Sequence, residues 1–329
     1  MSLPDSLRSL TCSDSCYEKL EACEFPKKLE VLRLGACFNQ PLKNLKEDFL
    51  RNLRSLAFGY MFNQDLVGVN WPPDLRSLAF GHRFNRAMQH VDLPKTLEYL
   101  SFGHNFNQSL EATILPSTLH HLQFGDMFNQ PLDHMAFPNL SSLVFGDAFN
   151  QSLKNVGLPV LESMTLGLSF NKVIDWPEGL QSLSLGSVFE HTLDHLPETL
   201  RELSCRRIYQ ESLDGVELPS QLQSLRFGHS FDLSLDGVKL PSTLQHLEFG
   251  YGFNQPLDQV TFPTLKTLTF AGGFNQNLCN LPKTLRSLNL GHDFAKSFPV
   301  IRNLQRFECN GLRVAVEQEE RLGCKFSRE

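Results

Sequence analysis

Apolar residues along this chain follow neither a long 3.6-residue period nor a long alternation. They return in one fixed cluster, Leu-x-x-Leu-x-Phe/Leu, closed by Gly and followed three residues later by Phe. Leu97-Glu-Tyr-Leu100-Ser-Phe102-Gly103-His-Asn-Phe106-Asn107-Gln108 repeats as Leu119-His-His-Leu122-Gln-Phe124-Gly125-Asp-Met-Phe128-Asn129-Gln130. Anchored on the Gly, units fall at Ser13, Gly35, Gly59, Gly81, Gly103, Gly125, Gly146, Gly167, Gly186, Arg206, Gly228, Gly250, Ala271 and Gly291, spaced 19 to 24 residues apart. A period of this length over a whole chain is the mark of a repeat architecture. The last Leu and the Phe of each cluster are two apart, so both face one way in a short strand. Such a strand cannot bury its face alone, and stacking the units into one parallel sheet does so. Pro stands eight or nine residues before the anchor in 13 of 14 units. Pro breaks a helix interior, so the return segments read as extended or polyproline-like with single turns and little helix. The pattern predicts a β-rich solenoid of about 14–15 coils of about 22 residues over residues 1–310.

Composition sharpens individual columns. Phe supplies 27 residues against 5 Tyr and 2 Trp. Twelve of them stand three past the anchor and eight directly before it, which predicts two core files of rings. Asn follows the post-anchor Phe in nine units, from Asn39 to Asn275, and its amide fits a ladder between coils. The Gly column calls for positive φ or for a close backbone approach. Ser/Thr two residues after the Pro (Thr96, Thr118, Thr199, Thr243, Thr284) predicts local turn hydrogen bonds. Residues 311–329 break the period and read as a cap, with a short amphipathic helix from Val314 to Leu322 stopped at Gly323.

The net charge of −6 argues against nucleic acid as the main partner. No apolar run reaches the roughly 20 residues of a membrane span, and the N-terminus has no signal-peptide layout. These features predict a cytoplasmic protein with no membrane partner. Cys12, Cys16, Cys23 and Cys37 crowd the first two units without a zinc spacing. They fit reduced core thiols, an N-terminal disulfide cap or a metal site, and Cys12, Cys205 and Cys309 replace core Phe/Leu. His82, His104, His229 and His292 share the column one past the anchor, and two adjacent His fall short of the three or four ligands a metal needs. No phosphate loop, nucleophile elbow or paired-carboxylate constellation appears, and no cofactor is implied.

The strand positions two and four before the anchor point away from the core, and most hold Ser, Thr or Ala. Larger residues gather twice. One group is Tyr99, His104, His120, His121 and Gln123. The other is Arg201, Glu202, Arg206, Arg207, Arg226, His229, His246, Glu248 and Tyr251. Tyr and Arg dominate interface energetics, which makes both groups candidate partner-binding residues.

Leu-x-x-Leu-x-Leu/Phe with an Asn turn resembles a leucine-rich repeat. The chain is more similar to the FNIP-repeat family, whose Phe-Asn-x-Pro signature stands here at Phe38-Asn-Gln-Pro41, Phe128-Asn-Gln-Pro131 and Phe253-Asn-Gln-Pro256. Units nine and ten depart from it, with Phe189-Glu190-His191, Tyr209-Gln210 and Arg206 at the anchor. The resemblance implies a leucine-rich-repeat-like right-handed superhelix, a protein ligand and no catalytic residues. The expected function is a non-enzymatic scaffold that binds a protein through the exposed, concave sheet face. Two other readings stay open: the recognition arm of a larger signalling or ubiquitin-transfer protein, and a binder of an ordered surface such as ice or a glycan.

Overall fold

A computed structural model describes residues 3–15, 17, 19–20, 23–43, 50–206, 213, 215–296, 301, 303–309 and 312–315. The chain divides into two units, Met1–Pro177 and Glu178–Glu329. In the first, β1 (Ser9–Thr11), β2 (Val31–Arg33), β3 (Ser55–Ala57), β4 (Ser77–Ala79), β5 (Tyr99–Ser101), β6 (His121–Gln123), β7 (Ser142–Val144) and β8 (Ser163–Thr165) pair in parallel and in chain order. In the second, β9 (Ser182–Leu185), β10 (Glu202–Cys205), β11 (Ser224–Arg226), β12 (His246–Phe249), β13 (Thr267–Phe270), β14 (Ser287–Asn289) and β15 (Arg306–Cys309) do the same. The fold is the leucine-rich-repeat-like solenoid the period predicts, and no α-helix occurs among the described residues.

Each coil is one short strand and a set of i→i+3 turns. The Pro column supplies the turn into the strand: the Leu97 N–H donates to Pro94 O, Leu119 to Pro116 O and Leu244 to Pro241 O. Pro keeps its carbonyl while its missing N–H costs nothing there. A second turn follows the anchor, with Phe106 N–H on Gly103 O at 3.1 Å. A third closes the return segment, as Val91 N–H on Met88 O at 3.1 Å. In part of the coils its third residue takes positive φ, supplied by Gly68 (75°) and Gly237 (83°) but also by His90 (62°) and His134 (64°). His is among the few non-Gly residues enriched in that region.

The core is the pair of Phe files. Post-anchor rings lie 6.0 Å apart from Phe106 to Phe128 and on to Phe149, and pre-anchor rings 5.8 Å apart from Phe80 to Phe102 and on to Phe124. Each pre-anchor ring also lies on its own coil's post-anchor ring, 3.9 Å for Phe102 and Phe106. The second unit repeats this, with Phe249 and Phe253 at 3.9 Å. Phe38, Phe62, Phe106, Phe128, Phe231 and Phe253 are wholly buried. Burying a Phe side chain contributes about 1.5–3 kcal/mol.

From Gly35 to Gly167 and at Gly250 the Gly column is set by close approach and not by φ, whereas Gly291 also takes positive φ (68°). A Cβ on Gly103 would lie 1.8 Å from Gly81 O, on Gly125 1.9 Å from Gly103 O, and on Gly250 2.1 Å from Gly228 O. At Arg206 and Ala271 the ladder to the preceding coil runs one residue further. Cys205 pairs with Leu185 and Phe270 with Phe249, so Arg206 N–H and Ala271 N–H reach Leu185 O and Phe249 O at 3.1 and 3.0 Å as ordinary ladder donors.

The Asn ladder runs as expected. Each Asn Oδ1 accepts the N–H of its counterpart one coil on, from Asn39 to Asn63 (2.9 Å) through Asn150 to Asn171 (3.0 Å). In the second unit Asp232 fills the column and accepts from Asn254 N–H at 2.8 Å. The following Gln reinforces it, as where Gln130 Nε2 donates to Asn107 Oδ1 at 3.0 Å. The Thr column corrects the sequence reading. Thr118 Oγ1 shares its proton between Lys95 O and Leu97 O, and Thr243 between Ser220 O and Leu222 O, so these hydroxyls join coils and do not close local turns.

The cap also departs from expectation. Leu312–Ala315 forms β16, antiparallel to β15, with Val314 opposite Phe307 and Ala315 opposite Arg306. The first two residues of the expected helix are therefore strand, where they satisfy the outer edge of β15. Residues 316–329 lie outside the described residues.

Candidate functional site

The strand alternation delivers the expected faces. Middle residues such as Leu100, Leu122, Leu225 and Leu247 are buried, while the positions two and four before the anchor reach solvent. The first candidate group divides between two columns. Tyr99 and His121 stand opposite each other on β5 and β6, with ring centres 4.4 Å apart and planes within 6°. Gln123 is exposed on the same face. These three, with Ser77, Ala79, Ser101, Ser142 and Val144, line a shallow depression of about 270 Å³. Burial lowers the His121 pKa, and the neighbouring His120 lowers it further, so the ring is neutral at pH 7. His120 itself is exposed, with Nδ1 2.7 Å from Thr118 O.

His104 belongs to a different arrangement. Its ring stacks on His82 at 4.4 Å, His82 stacks on Tyr60 at 4.4 Å, and His104 Nδ1 lies 2.6 Å from Asp126 Oδ2. The Arg83 guanidinium carbon lies 5.8 Å from the Tyr60 ring centre. Tyr60 and Asp126 escaped the sequence reading, although the column one past the anchor holds them both.

The second group is held by its own contacts. Arg226 and Glu248, opposite each other on β11 and β12, form an ion pair at 2.6 Å. Glu202 Oε2 accepts from Ser182 Oγ at 3.2 Å, and His246 Nδ1 lies 3.2 Å from Thr267 Oγ1. His229 and Tyr251 rings meet at 5.2 Å, and the Tyr251 ring covers Gly272, where a Cβ would lie 2.3 Å from it. Arg201 and Arg206 are exposed, and Arg207 lies outside the described residues. An exposed pair such as Arg226–Glu248 contributes about 0–1 kcal/mol, so the fold does not depend on it.

Burial pushes the Cys205 thiol up to about 12 and raises that of Cys309. Both are core residues, as their columns predict, whereas Cys12, Cys23 and Cys37 are half-buried and Cys16 lies outside the described residues. Among the described residues no three His, Cys, Asp or Glu side chains converge as metal ligands, and no helix is long and apolar enough to cross a membrane.

Comparison with known proteins agrees with this geometry. The structure is similar to a circular leucine-rich-repeat protein, CroV588, with 28% identity and a TM-score of 0.70. That likeness covers 93% of this chain and 57% of the other, so the chain spans little more than half of its length. It is also similar in fold to YopM from Yersinia enterocolitica, at 19% identity and a TM-score of 0.50, over 92% of this chain and 69% of that one. A search of curated protein sequences finds no match. Solenoids of this kind typically serve as interaction scaffolds. FNIP repeats match at residues 62–105, 84–127, 106–140, 128–169, 209–252 and 234–273, four of them starting on a post-anchor Phe. Together they cover more than half of the chain, which belongs to the FNIP-repeat family.

Proposed function

We propose that this chain is a non-enzymatic scaffold that binds a partner protein through the exposed face of its sheet. The observation that carries this is the depression over β4–β7 with the Tyr99–His121 pair standing in it. From β3 to β8 the outward positions are Ser55, Ala57, Ser77, Ala79, Tyr99, Ser101, His121, Gln123, Ser142, Val144, Ser163 and Thr165, with no Asp, Glu, Lys or Arg. A floor of small side chains lets a partner reach the strands, and a pair of rings gives it a rigid anchor at little entropic cost. The second group adds charge that can orient the partner: Arg201, Arg206 and Arg226 beside Glu202 and Glu248.

The test starts with a partner captured by crosslinking in the native cell and purified. Tyr99→Ala and His121→Ala should each weaken its binding at least tenfold, the size of an interface hot spot. Arg226→Glu should slow association and change its salt dependence. Unchanged affinity in Tyr99→Ala and His121→Ala rejects the sheet face as the docking surface.

A further inference from the structure

Independently of the reading above, the column one past the anchor brings aromatic and ionisable side chains of successive coils together. Asp14, Ala36, Tyr60, His82, His104 and Asp126 are its successive members. Each is fixed by the same main-chain bond to the following coil. Asp14 O accepts Cys37 N–H (2.9 Å), Ala36 O accepts Met61 N–H (2.8 Å), Tyr60 O accepts Arg83 N–H (2.9 Å) and His82 O accepts Asn105 N–H (2.9 Å). The C-terminal end of this file is complete. The His104 ring lies face-on to His82 while its Nδ1 bonds the Asp126 carboxylate one coil further on.

The N-terminal end has the same parts with one missing. Tyr60 stacks on His82, and on its other side the column offers the methyl group of Ala36 and then the Asp14 carboxylate. Asp14 is exposed, and only its Oδ1 is engaged, by Ala36 N–H at 3.2 Å, among the described residues. Tyr60 is 46% exposed. We propose that the space over Ala36, between the Tyr60 ring and the Asp14 carboxylate, docks an arginine side chain of a partner protein.

The chemistry selects that side chain. A guanidinium is flat, so it can lie on the Tyr60 ring as His82 does on the far face, and its N–H fork can serve Asp14 from the same position. A Lys ammonium offers no plane to stack, and a neutral aromatic ring leaves Asp14 without a counter-charge. The molecule already brings one guanidinium to this ring: Arg83, from the His82 coil, lies 5.8 Å from the Tyr60 centre. In the second unit the equivalent gap is closed from within, where the Tyr251 ring tips over Gly272.

The experiment titrates the full chain with the blocked tripeptide acetyl-Gly-Arg-Gly-amide and with its citrulline and lysine counterparts, by NMR. The arginine peptide should bind at least fivefold tighter than either, and Asp14→Asn and Tyr60→Ser should each remove that preference. Ala36→His fills the gap from within. It should abolish arginine-peptide binding and raise the unfolding temperature, and because it adds a ring it stays informative should Asp14→Asn or Tyr60→Ser unfold. Tyr99→Ala should leave the titration unchanged, which separates this site from the sheet face. Equal binding of the arginine and citrulline peptides, or full arginine binding by Ala36→His, overturns the site. Tighter binding of free arginine than of the tripeptide overturns the assignment to a partner protein.

Discussion

Replacing Gly103 by Ala tests the physical basis of the repeat directly. The new Cβ would lie 1.8 Å from Gly81 O and 2.4 Å from Gly81 C, both main-chain atoms that no rotamer can move aside. Non-bonded carbons rest about 3.5–4.0 Å apart, so the two coils must separate locally by about 1 Å. Two bonds cross this junction within two residues of Gly103: Phe80 N–H to Ser101 O at 2.8 Å and Asn105 N–H to His82 O at 2.9 Å. Lengthened by that amount, both leave the range of a hydrogen bond. Each donor left without a partner costs about 1–3 kcal/mol, which puts Gly103→Ala at about 2–6 kcal/mol. Gly68→Ala in the same unit is the control. Its Cβ meets nothing within 4 Å, but φ is 75°, so only the left-handed backbone penalty of about 1–2 kcal/mol applies. Equilibrium urea unfolding followed by circular dichroism gives both values, with the slope checked for loss of cooperativity. A Gly103→Ala cost no greater than that of Gly68→Ala would refute the close-approach account of this column.

Other predictions follow from the same contacts. Asn107→Ala strands Asn129 N–H and Gln130 Nε2 and should cost about 1–3 kcal/mol. Asn107→Asp keeps the acceptor, as Asp232 does natively, and should recover most of that loss in the same unfolding assay; equal costs would reject the ladder. His90, at φ 62°, should tolerate Gly with a change within about 1 kcal/mol, while Val should cost about 1–2 kcal/mol, as read by thermal unfolding. Cys205, buried with its thiol pushed up to about 12, should stay unmodified by iodoacetamide at pH 8 while exposed Cys279 reacts, with peptide mass mapping as the readout. Its neutral thiol favours the folded state up to pH 9.0, and that contribution is lost as pH rises from 9.0 towards about 12. Glu198 runs the other way: Ser220 N–H and Oγ hold its pKa below the ordinary value of 4.5. Its contribution is present above that pH and lost on acidification through the lowered pKa, and Ser220→Ala should shrink this part of the acid limb in a pH titration of stability.

The period, the parallel strands and the two Phe files are legible in the sequence because each is a repeated local rule. A Leu and a Phe two residues apart face one way wherever the chain is extended, and repetition every 22 residues or so leaves stacking as the way to bury them. The Asn column was legible for the same reason, since a buried turn must satisfy its main-chain groups. Less could be read where one residue type serves two geometries. The Gly column fitted positive φ and close approach alike, and only the position of the preceding coil's carbonyl separates them. The Thr hydroxyls fitted local turns, yet their acceptors lie a coil away. Val314 and Ala315 suited a helix by local pattern but pair with an edge strand brought to them by the fold.

The candidate surfaces divide in the same way. Sequence columns told which side chains share the face: Tyr99, His121 and Gln123 in one group, Arg226 and Glu248 in the other. They could not tell that Arg226 and Glu248 neutralise one another, or that His104 leaves its group to join Tyr60, His82 and Asp126. By itself the sequence determined the repeat, and with it which positions are core and which are free. Which free positions meet was decided only by the stacking of coils, because ring faces and carboxylates at residues some 22 apart become neighbours solely through the register between adjacent turns of the solenoid.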